Sequence, residues 1–194
     1  MNLTIAQRPF TLQSPHAKHL RFNSKIYAAE SSSSPLVPLV EGKKFICTEC
    51  GKCCTGAGEV WANFAEVTAL AKATGLSEKH FITKYTKSYS KRPGWYMIKR
   101  KIGSGDCVFL GKDGKMCLVY NARPTQCATY PWWPELMNDA LWNAEAEDVC
   151  EGINHPDAVE VDVEYASRQL QISSDYTAMF DEAGMARSQP RKKR

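Results

Sequence analysis

The sequence predicts a small α+β domain with short helices and a β-hairpin. Three observations predict it: helical patterns with capping residues after position 60, a hairpin signal around position 113, and eight cysteines in 194 residues. A chain of this length forms one domain by default. Thiols this numerous are rarely needed for packing, and a metal bound to them can substitute for part of a thin core.

Two helices are predicted between positions 63 and 85. Asn63 with Glu66 three residues later is a capping-box pattern, and Ser77 can cap the second helix. The residues that would form the buried face of the first helix are Phe64, Val67, Leu70 and Ala71. Those of the second helix are Phe81, Ile82 and Tyr85. A weaker helical pattern covers residues 165–180.

A hairpin is predicted over residues 107–120. Asp113-Gly114 lies between two short apolar runs, which is a strong hairpin signal. Such a hairpin would place Cys107 and Cys117 on neighbouring strands. Whether the two thiols share a face depends on the register, since a slip of one residue reverses it.

The densest group of cysteines is the run C-x2-C-x2-C-C at residues 47–54. The two-residue spacers let thiolates converge, as in ferredoxin-type iron–sulfur sites and in the knuckles of structural zinc sites. Adjacent side chains usually point in different directions. We therefore expect three of these four thiols to form a common set and the fourth to bridge to a second site. A disulfide framework and unliganded thiols are the alternatives.

Four further cysteines follow, spaced C-x9-C-x9-C-x22-C. Eight thiols are enough for two tetrathiolate zinc sites, for two clusters with four ligands each, or for one centre with supporting thiols. The candidate metal ligands are Cys47, Cys50, Cys53, Cys54, Cys107, Cys117, Cys127 and Cys150. No catalytic acid, base or nucleophile can be named beside them.

Charge is unevenly distributed along the chain. The net charge is +4, but the basic residues are concentrated at the ends, and residues 41–186 carry more acidic than basic side chains. A protein that coats nucleic acid is therefore not indicated. Residues 79–101 hold eight basic residues and no acid, interleaved with aromatics. This stretch could bind single strands, could dock an acidic partner protein, or could simply be a solvated helix face followed by a strand at 95–99.

Residues 1–40 have the composition of a transit peptide and linker. No acid precedes Glu30, and a serine run ends at Pro35. The segment 26–29 resembles the cleavage context of chloroplast transit peptides, with the cut after Ala28. We expect a chloroplast stromal location, with the mitochondrion as the alternative. The metal-binding domain would then span residues 41–186 and be followed by a basic tail at 187–194. No apolar run is long enough to span a membrane.

Several separated motifs resemble the CxxCxxCC family of zinc- or iron-chelating domains, also called the YkgJ-type cysteine cluster family. In chain order they are Cys47-x2-Cys50-x2-Cys53-Cys54, Gly105-Asp-Cys107-Val-Phe-Leu, Cys117-Leu-Val-Tyr120, Arg123-Pro124-x2-Cys127 and Tyr130-Pro131. The resemblance covers roughly residues 45–153, and Cys150 resembles the family's closing cysteine. It departs at Ala128, where the family frequently has Arg, and at Glu151, where Pro is often expected.

The resemblance implies an iron–sulfur cluster in preference to zinc, because a related bacterial member, the flagellin lysine N-methylase, is understood to carry such a cluster. We therefore expect a metal-binding protein with a redox or metal-handling role. The first alternative is a cluster-dependent enzyme that transfers methyl groups from S-adenosylmethionine, although no glycine-rich nucleotide fingerprint follows a clear strand. The second is nucleic-acid binding through residues 79–101.

Overall fold

A three-stranded antiparallel sheet and six α-helices make up the computed structural model, which describes residues 34–56 and 58–185. The predicted α+β class is confirmed. The helices are α1 (Val37–Val40), α2 (Phe64–Ala73), α3 (Glu78–Tyr85), α4 (Thr125–Ala128), α5 (Asp139–Asp148) and α6 (Val163–Met185). The strands are β1 (Trp61–Asn63), β2 (Thr86–Ser88) and β3 (Trp95–Ile98).

The sheet has the order β1-β3-β2, so the last strand in sequence lies in the middle. Trp61 pairs with Met97 on one side of β3, and Thr86 pairs with Ile98 on the other. Both ends of β3, Trp95 and Ile98, are buried, as expected for a strand that turns its apolar residues inward. The strand predicted at 95–99 is confirmed to within one residue.

The capping box of α2 forms as predicted. The Asn63 side chain accepts a hydrogen bond from the Glu66 backbone N–H at 3.0 Å, and the Glu66 carboxylate accepts one from the Asn63 N–H at 2.8 Å. The Ser77 side chain caps α3 in a similar way. Val67, Leu70, Ala71 and Phe81 are buried as predicted, Ile82 and Tyr85 are only partly buried against the core, and Phe64 is 49% exposed. Phe64 is the first residue of α2 and precedes the turns that pack against the core.

Replacing Asn63 with alanine is expected to lower the free energy of unfolding by about 1 kcal/mol, because the side-chain hydrogen bond that caps α2 is lost while the backbone N–H of residue 63 keeps its bond to Glu66. Urea unfolding followed by circular dichroism measures the change. Asn121→Ala is the matched control, since Asn121 is exposed and caps no helix. Equal destabilisation by the two substitutions would contradict the assigned role of the cap.

Two separate groups of buried side chains form the core, and each contains one cysteine. The first lies between α2, α3 and the sheet, and includes Phe81, Phe109 and Cys107. The second lies under α6, and includes Trp132 and Cys150. Thiols from both halves of the chain are therefore held at the edges of packed apolar clusters, which fixes the backbone around them.

The hairpin at 107–120 is shorter than predicted. Its two arms meet in a single antiparallel bridge between Leu110 and Cys117, and the Gly111 N–H donates to the Met116 carbonyl at 2.8 Å. The arms leave the ladder because both fold into tight turns, with the Tyr120 N–H donating to the Cys117 carbonyl at 3.2 Å. The chain reverses where expected, but two regular strands do not form.

The folded region begins before the predicted boundary at residue 41. Residues 37–40 form α1, and Val40 is completely buried in the core beneath α6. The preceding serine run masked this short apolar segment in the sequence. The transit peptide predicted upstream and the basic tail at 187–194 fall on residues 1–33 and 186–194, which lie outside the described residues. Among the described helices, none is both long and apolar enough to cross a membrane.

Candidate metal centre

The second half of the cysteine run is shaped by a glycine. Gly51 has a left-handed φ of 76° and starts the 3-10 turn Lys52–Cys54. The Cys54 N–H donates to the Gly51 carbonyl at 2.8 Å, which closes this turn. A residue with a side chain adopts such a φ only at a cost, so glycine is required here. The turn carries Cys53 and Cys54 together.

The turn docks directly against the hairpin. The Cys107 N–H donates to the Cys54 carbonyl at 2.8 Å. A Cβ added to Gly51 would collide with the carbonyl of Gly114 and would lie 2.9 Å from the Lys115 Cα. Only glycine therefore permits this close backbone approach. The consequence is that cysteines more than fifty residues apart in sequence become neighbours.

Four thiols meet at this junction, and we call them the first thiol set: Cys53, Cys54, Cys107 and Cys117. The other three lie close enough to Cys54 for their side chains to raise the pKa of its thiol. Cys127, on α4, lies close enough for the charges of Cys53, Cys107 and Cys117 to raise the pKa of its buried thiol, in addition to the larger effect of burial.

Within the first thiol set, the pKa of Cys54 and the pKa values of the other three thiols are shifted in opposite directions. The hydrogen bond from Cys54 is the largest cause in each of its three partners: it lowers the pKa of Cys53 to about 7, that of Cys107 to about 6 and that of Cys117 to about 7. The pKa of Cys54 itself is raised, because it is the donor to these three groups and is partly buried. Near neutral pH the set therefore combines thiolates with one retained proton.

Three basic side chains surround the first thiol set and favour thiolates there. The charge of Arg123 lowers the pKa values of Cys53 and Cys117, and Arg100 and Lys101 lower that of Cys107. Arg123 is held over the Tyr120 ring at 3.7 Å from its centroid. The sequence reading did not assign these cations to the centre, although Arg123 belongs to one of the motifs that carried the family resemblance.

The basic stretch at 79–101 contributes to this architecture. The Lys99 ammonium donates to the Thr83 carbonyl at 2.7 Å, and the Lys101 ammonium donates to the Leu110 carbonyl at 2.7 Å. The Arg100 guanidinium donates to the carbonyls of Gly58 and Cys54. These side chains join segments of the fold, and their hydrogen bonds give no support to the nucleic-acid alternative.

A second group of cysteines, which we call the second thiol set, lies around Cys150. Its members are Cys50 and Cys150, together with Cys47, which lies on the same loop as Cys50. The charge of Cys50 acts on buried Cys150, whose pKa is raised chiefly by burial, and the Tyr130 hydroxyl is in hydrogen-bond contact with the Cys150 thiol. The same hydroxyl donates to the Glu145 carboxylate at 2.6 Å. Tyr130 was not singled out from the sequence as part of a site, although Tyr130-Pro131 was among the motifs noted.

Backbone pairing fixes the second thiol set. The Ile46 N–H donates to the Gly152 carbonyl at 3.0 Å, and Phe45 pairs with Ile153. A Cβ on Gly152 would collide with the Ile46 carbonyl, so the two segments can approach this closely only at a glycine. On the solvent side the Lys52 ammonium lies 2.5 Å from the Glu151 carboxylate. This pairing places the loop that carries Cys47 and Cys50 beside Cys150.

The fold separates the first run into two pairs. Cys53 and Cys54 lie on one turn, and the charge of Cys50 acts on Cys150; that three of the four thiols share a metal stays a prediction. The reason is that the chain turns at Gly51, between the two pairs. All eight cysteines are free thiols, so the disulfide framework considered above is absent. His80 and His155 lie elsewhere: His80 contacts Ser77, and His155 contacts Asp157.

The donor chemistry of the first thiol set fits a thiophilic metal. Four sulfurs are gathered beside cations, and a cation bound by all four would replace the proton that Cys54 retains. Within residues 34–56 and 58–185, no three Cys, His, Asp or Glu side chains already converge at the distances that a metal ion requires.

In metal-free protein, Cys53 is expected to react with iodoacetamide at a rate that rises with pH through about 7, because the thiolate is the nucleophile and the Cys54 hydrogen bond lowers the pKa of Cys53 to about 7. Cys53 is exposed and accessible to the reagent. Tandem mass spectrometry of the labelled peptide gives the rate at each pH. Arg123→Gln is expected to move the midpoint upward, whereas Lys79→Gln on α3 should leave it unchanged. A midpoint near 9.0, the pKa of an unperturbed cysteine thiol, in the unsubstituted protein would contradict this prediction.

Comparisons with known proteins agree with this description of the chain. Residues 46–151 match the protein family described as "CxxCxxCC: Putative zinc- or iron-chelating domain". An uncharacterised protein of Methanocaldococcus jannaschii is 26% identical over 102 residues, which cover 53% of this chain and 52% of that protein. The chain thus spans about half the length of this curated relative. No solved structure matches it. The matched residues include both thiol sets.

Proposed function

This chain belongs to the CxxCxxCC family of zinc- or iron-chelating domains, and from that premise we propose that it holds an iron–sulfur cluster, or failing that zinc, through its eight cysteines. The first thiol set supplies four ligands in this proposal, and Cys127 lies beside them as a supporting thiol. The second thiol set supplies the remaining three sulfurs, either to a second centre or as structural thiols.

The observation that carries the proposal is the position of Cys54 among three other thiols. It interacts with Cys53 from its own turn and with Cys107 and Cys117 from the hairpin. Four unmodified thiols gathered in this way form an unfavourable concentration of negative charge once they ionise. A bound cation removes that penalty, and thiolates are the ligands that iron–sulfur clusters and zinc prefer.

Iron–sulfur is favoured over zinc by the spacing of the first run, since zinc knuckles seldom have a third cysteine so soon after the second. The surroundings support a redox-active centre, because Phe109 and Val119 pack in the core beside Cys107 and limit access of water. Arg100 and Arg123 provide positive charge near the sulfurs, which stabilises a reduced, more negative cluster. The proposed role is redox or metal handling, and the proposed chloroplast stromal location rests on the composition of residues 1–40.

The decisive experiment is anaerobic purification followed by elemental analysis and an absorption spectrum. An iron–sulfur protein should be brown and should contain iron and acid-labile sulfide in similar amounts. It should absorb at about 400 nm because of its thiolate–iron bonds. Zinc without colour supports the zinc form of the proposal. Protein that contains neither metal after anaerobic reconstitution with iron, sulfide or zinc would overturn it.

The proposed location has its own test. Residues 1–40 fused to a fluorescent protein should direct it to the chloroplast of a leaf cell, because the segment has transit-peptide composition. A matched fusion in which Arg8, Lys18, Arg21 and Lys25 are replaced by glutamate should remain in the cytosol. Import of the first fusion into mitochondria instead would support the alternative location and contradict the stromal one.

A further inference from the structure

A small cleft lies between α6 and the segments opposite it, on the side of the domain away from the hairpin turn. Its volume is about 180 Å³. One wall is formed by a single face of α6, at helical spacings of three and four residues. The lining residues on this face are Ser173, Tyr176, Thr177 and Phe180. Those on the opposite wall are Trp61, Gln126, Trp133 and Glu135.

Half of the lining is aromatic, and the rings are held in place. Trp61 and Phe180 lie 5.0 Å apart between ring centroids, tilted by 52°. The Trp133 indole N–H donates to the Gln126 carbonyl at 2.9 Å, which fixes the orientation of that ring. A site whose rings are already ordered loses little side-chain entropy when a ligand binds.

The uncharged polar groups of the cleft are mostly occupied. The Tyr176 hydroxyl donates to the Glu66 carboxylate at 2.7 Å, and the Gln126 side-chain oxygen accepts from the Trp61 N–H at 3.0 Å. The Thr177 hydroxyl donates to the Ser173 carbonyl at 3.0 Å. A ligand that needs several hydrogen-bond donors or acceptors from the protein therefore gains little in this cleft.

The only charged side chain among the lining residues is Glu135, which is exposed at the start of the opposite wall. No basic residue lines the cleft. The faces of aromatic rings carry partial negative charge and attract cations. Phe180 already engages one cation in this way, since the Arg92 guanidinium carbon lies 3.7 Å from its ring centroid. Because Arg92 already occupies Phe180, the groups of the cleft that remain to attract a second cation are Trp61, Trp133 and the Glu135 carboxylate.

We propose that this cleft binds an alkylammonium group, of the size of a trimethylammonium head, against Trp61 and Trp133 and near the Glu135 carboxylate. Such a group suits the cleft because it is cationic, weakly hydrated, apolar on its outside and without need of hydrogen bonds. The proposal goes beyond metal binding and does not depend on it, because no lining residue belongs to either thiol set.

Titration of the full chain with choline, followed by tryptophan fluorescence, tests this site. We expect a saturable change with a dissociation constant on the order of 1–10 mM, as suits a small ligand in an open cleft. The neutral carbon analogue of choline, dimethylbutanol, should bind at least about 5-fold more weakly, because it lacks the charge that the rings and Glu135 attract. Sodium chloride at equal ionic strength provides the baseline.

Variants distinguish the cleft from the rest of the surface. Trp133→Leu keeps an apolar side chain but removes a ring face, and should weaken choline binding by about 10-fold. Glu135→Gln should weaken it by about 3-fold. Glu147→Gln, on the exposed side of α5, makes the same change of charge and should have no effect. Circular dichroism confirms that each variant is folded.

The affinity for a peptide that carries trimethyllysine is compared with the affinity for choline. The comparison shows whether the alkylammonium head belongs to a protein side chain or to a free small molecule. Tighter binding of either one supports the proposal and assigns the source. The proposal is overturned if choline and dimethylbutanol bind equally, if Glu147→Gln weakens binding as much as Glu135→Gln, or if no saturable signal occurs up to about 0.1 M choline.

Discussion

Replacement of Cys54 by serine is expected to remove nearly all of the metal held by the first thiol set. Cys54 is the thiol that contacts the other three, so its loss leaves three sulfurs around an incomplete centre. Bound metal contributes folding free energy when its ligands are brought together only in the folded chain. We therefore expect the metal content to fall to about a tenth or less. The free energy of unfolding of the metal-loaded protein should fall by about 3–6 kcal/mol.

The same substitution in metal-free protein should have a small effect, about 1 kcal/mol or less, because serine preserves the size and donor character of the side chain. Elemental analysis and thermal unfolding, each with and without chelator, separate the two effects. Cys150→Ser is the matched variant in the second thiol set, and it should leave the metal of the first set in place. Equal loss of all metal from both variants would show one shared centre and contradict the two-set description.

Gly51→Ala is expected to destabilise the fold strongly. An alanine there must adopt a φ of 76°, and its Cβ must displace the backbone at Gly114 and Lys115. Unlike the end of a flexible side chain, backbone on a tight turn cannot move aside at low cost. We expect a loss of about 3–5 kcal/mol in unfolding free energy, from left-handed strain of about 1 kcal/mol together with the steric conflict.

Gly75→Ala is a well-matched control for this prediction. Gly75 also has a positive φ, of 68°, but a Cβ there would meet no atom within 4 Å. It should therefore cost only the strain of about 1 kcal/mol. Urea unfolding of both variants, with metal analysis alongside, gives the comparison. If the two substitutions cost the same, then the contact between the cysteine run and the hairpin turn does not hold the first thiol set together.

Local signals in the sequence were sufficient for several helices. Asn63 with Glu66 and Ser77 at the next helix start each act within four residues, so their hydrogen bonds depend little on the rest of the fold. The long helix α6 follows from its apolar periodicity for the same reason. Phe64 was misassigned to the core because periodicity alone does not show where along a helix the packing begins.

The cysteine spacing likewise predicted a metal-binding domain, which the family match confirms, and it supplied the candidate ligands. It did not determine how the eight thiols are divided. That depends on Gly51 against the hairpin turn and on Gly152 against Ile46, which are contacts between segments distant in sequence. Spacing within one segment contains no information about the register between two segments.

The basic stretch at 79–101 illustrates the same limit. The sequence favours a solvated helix face followed by a strand, with a docking surface and a nucleic-acid surface as alternatives. Only the tertiary structure supplies the carbonyls that Lys99, Arg100 and Lys101 bind. The sequence by itself therefore determined the fold class, the local caps and the kind of ligand, because these rest on short-range interactions. The partition of the thiols and the cations beside them were decided by tertiary structure, because long-range backbone contacts bring those groups together.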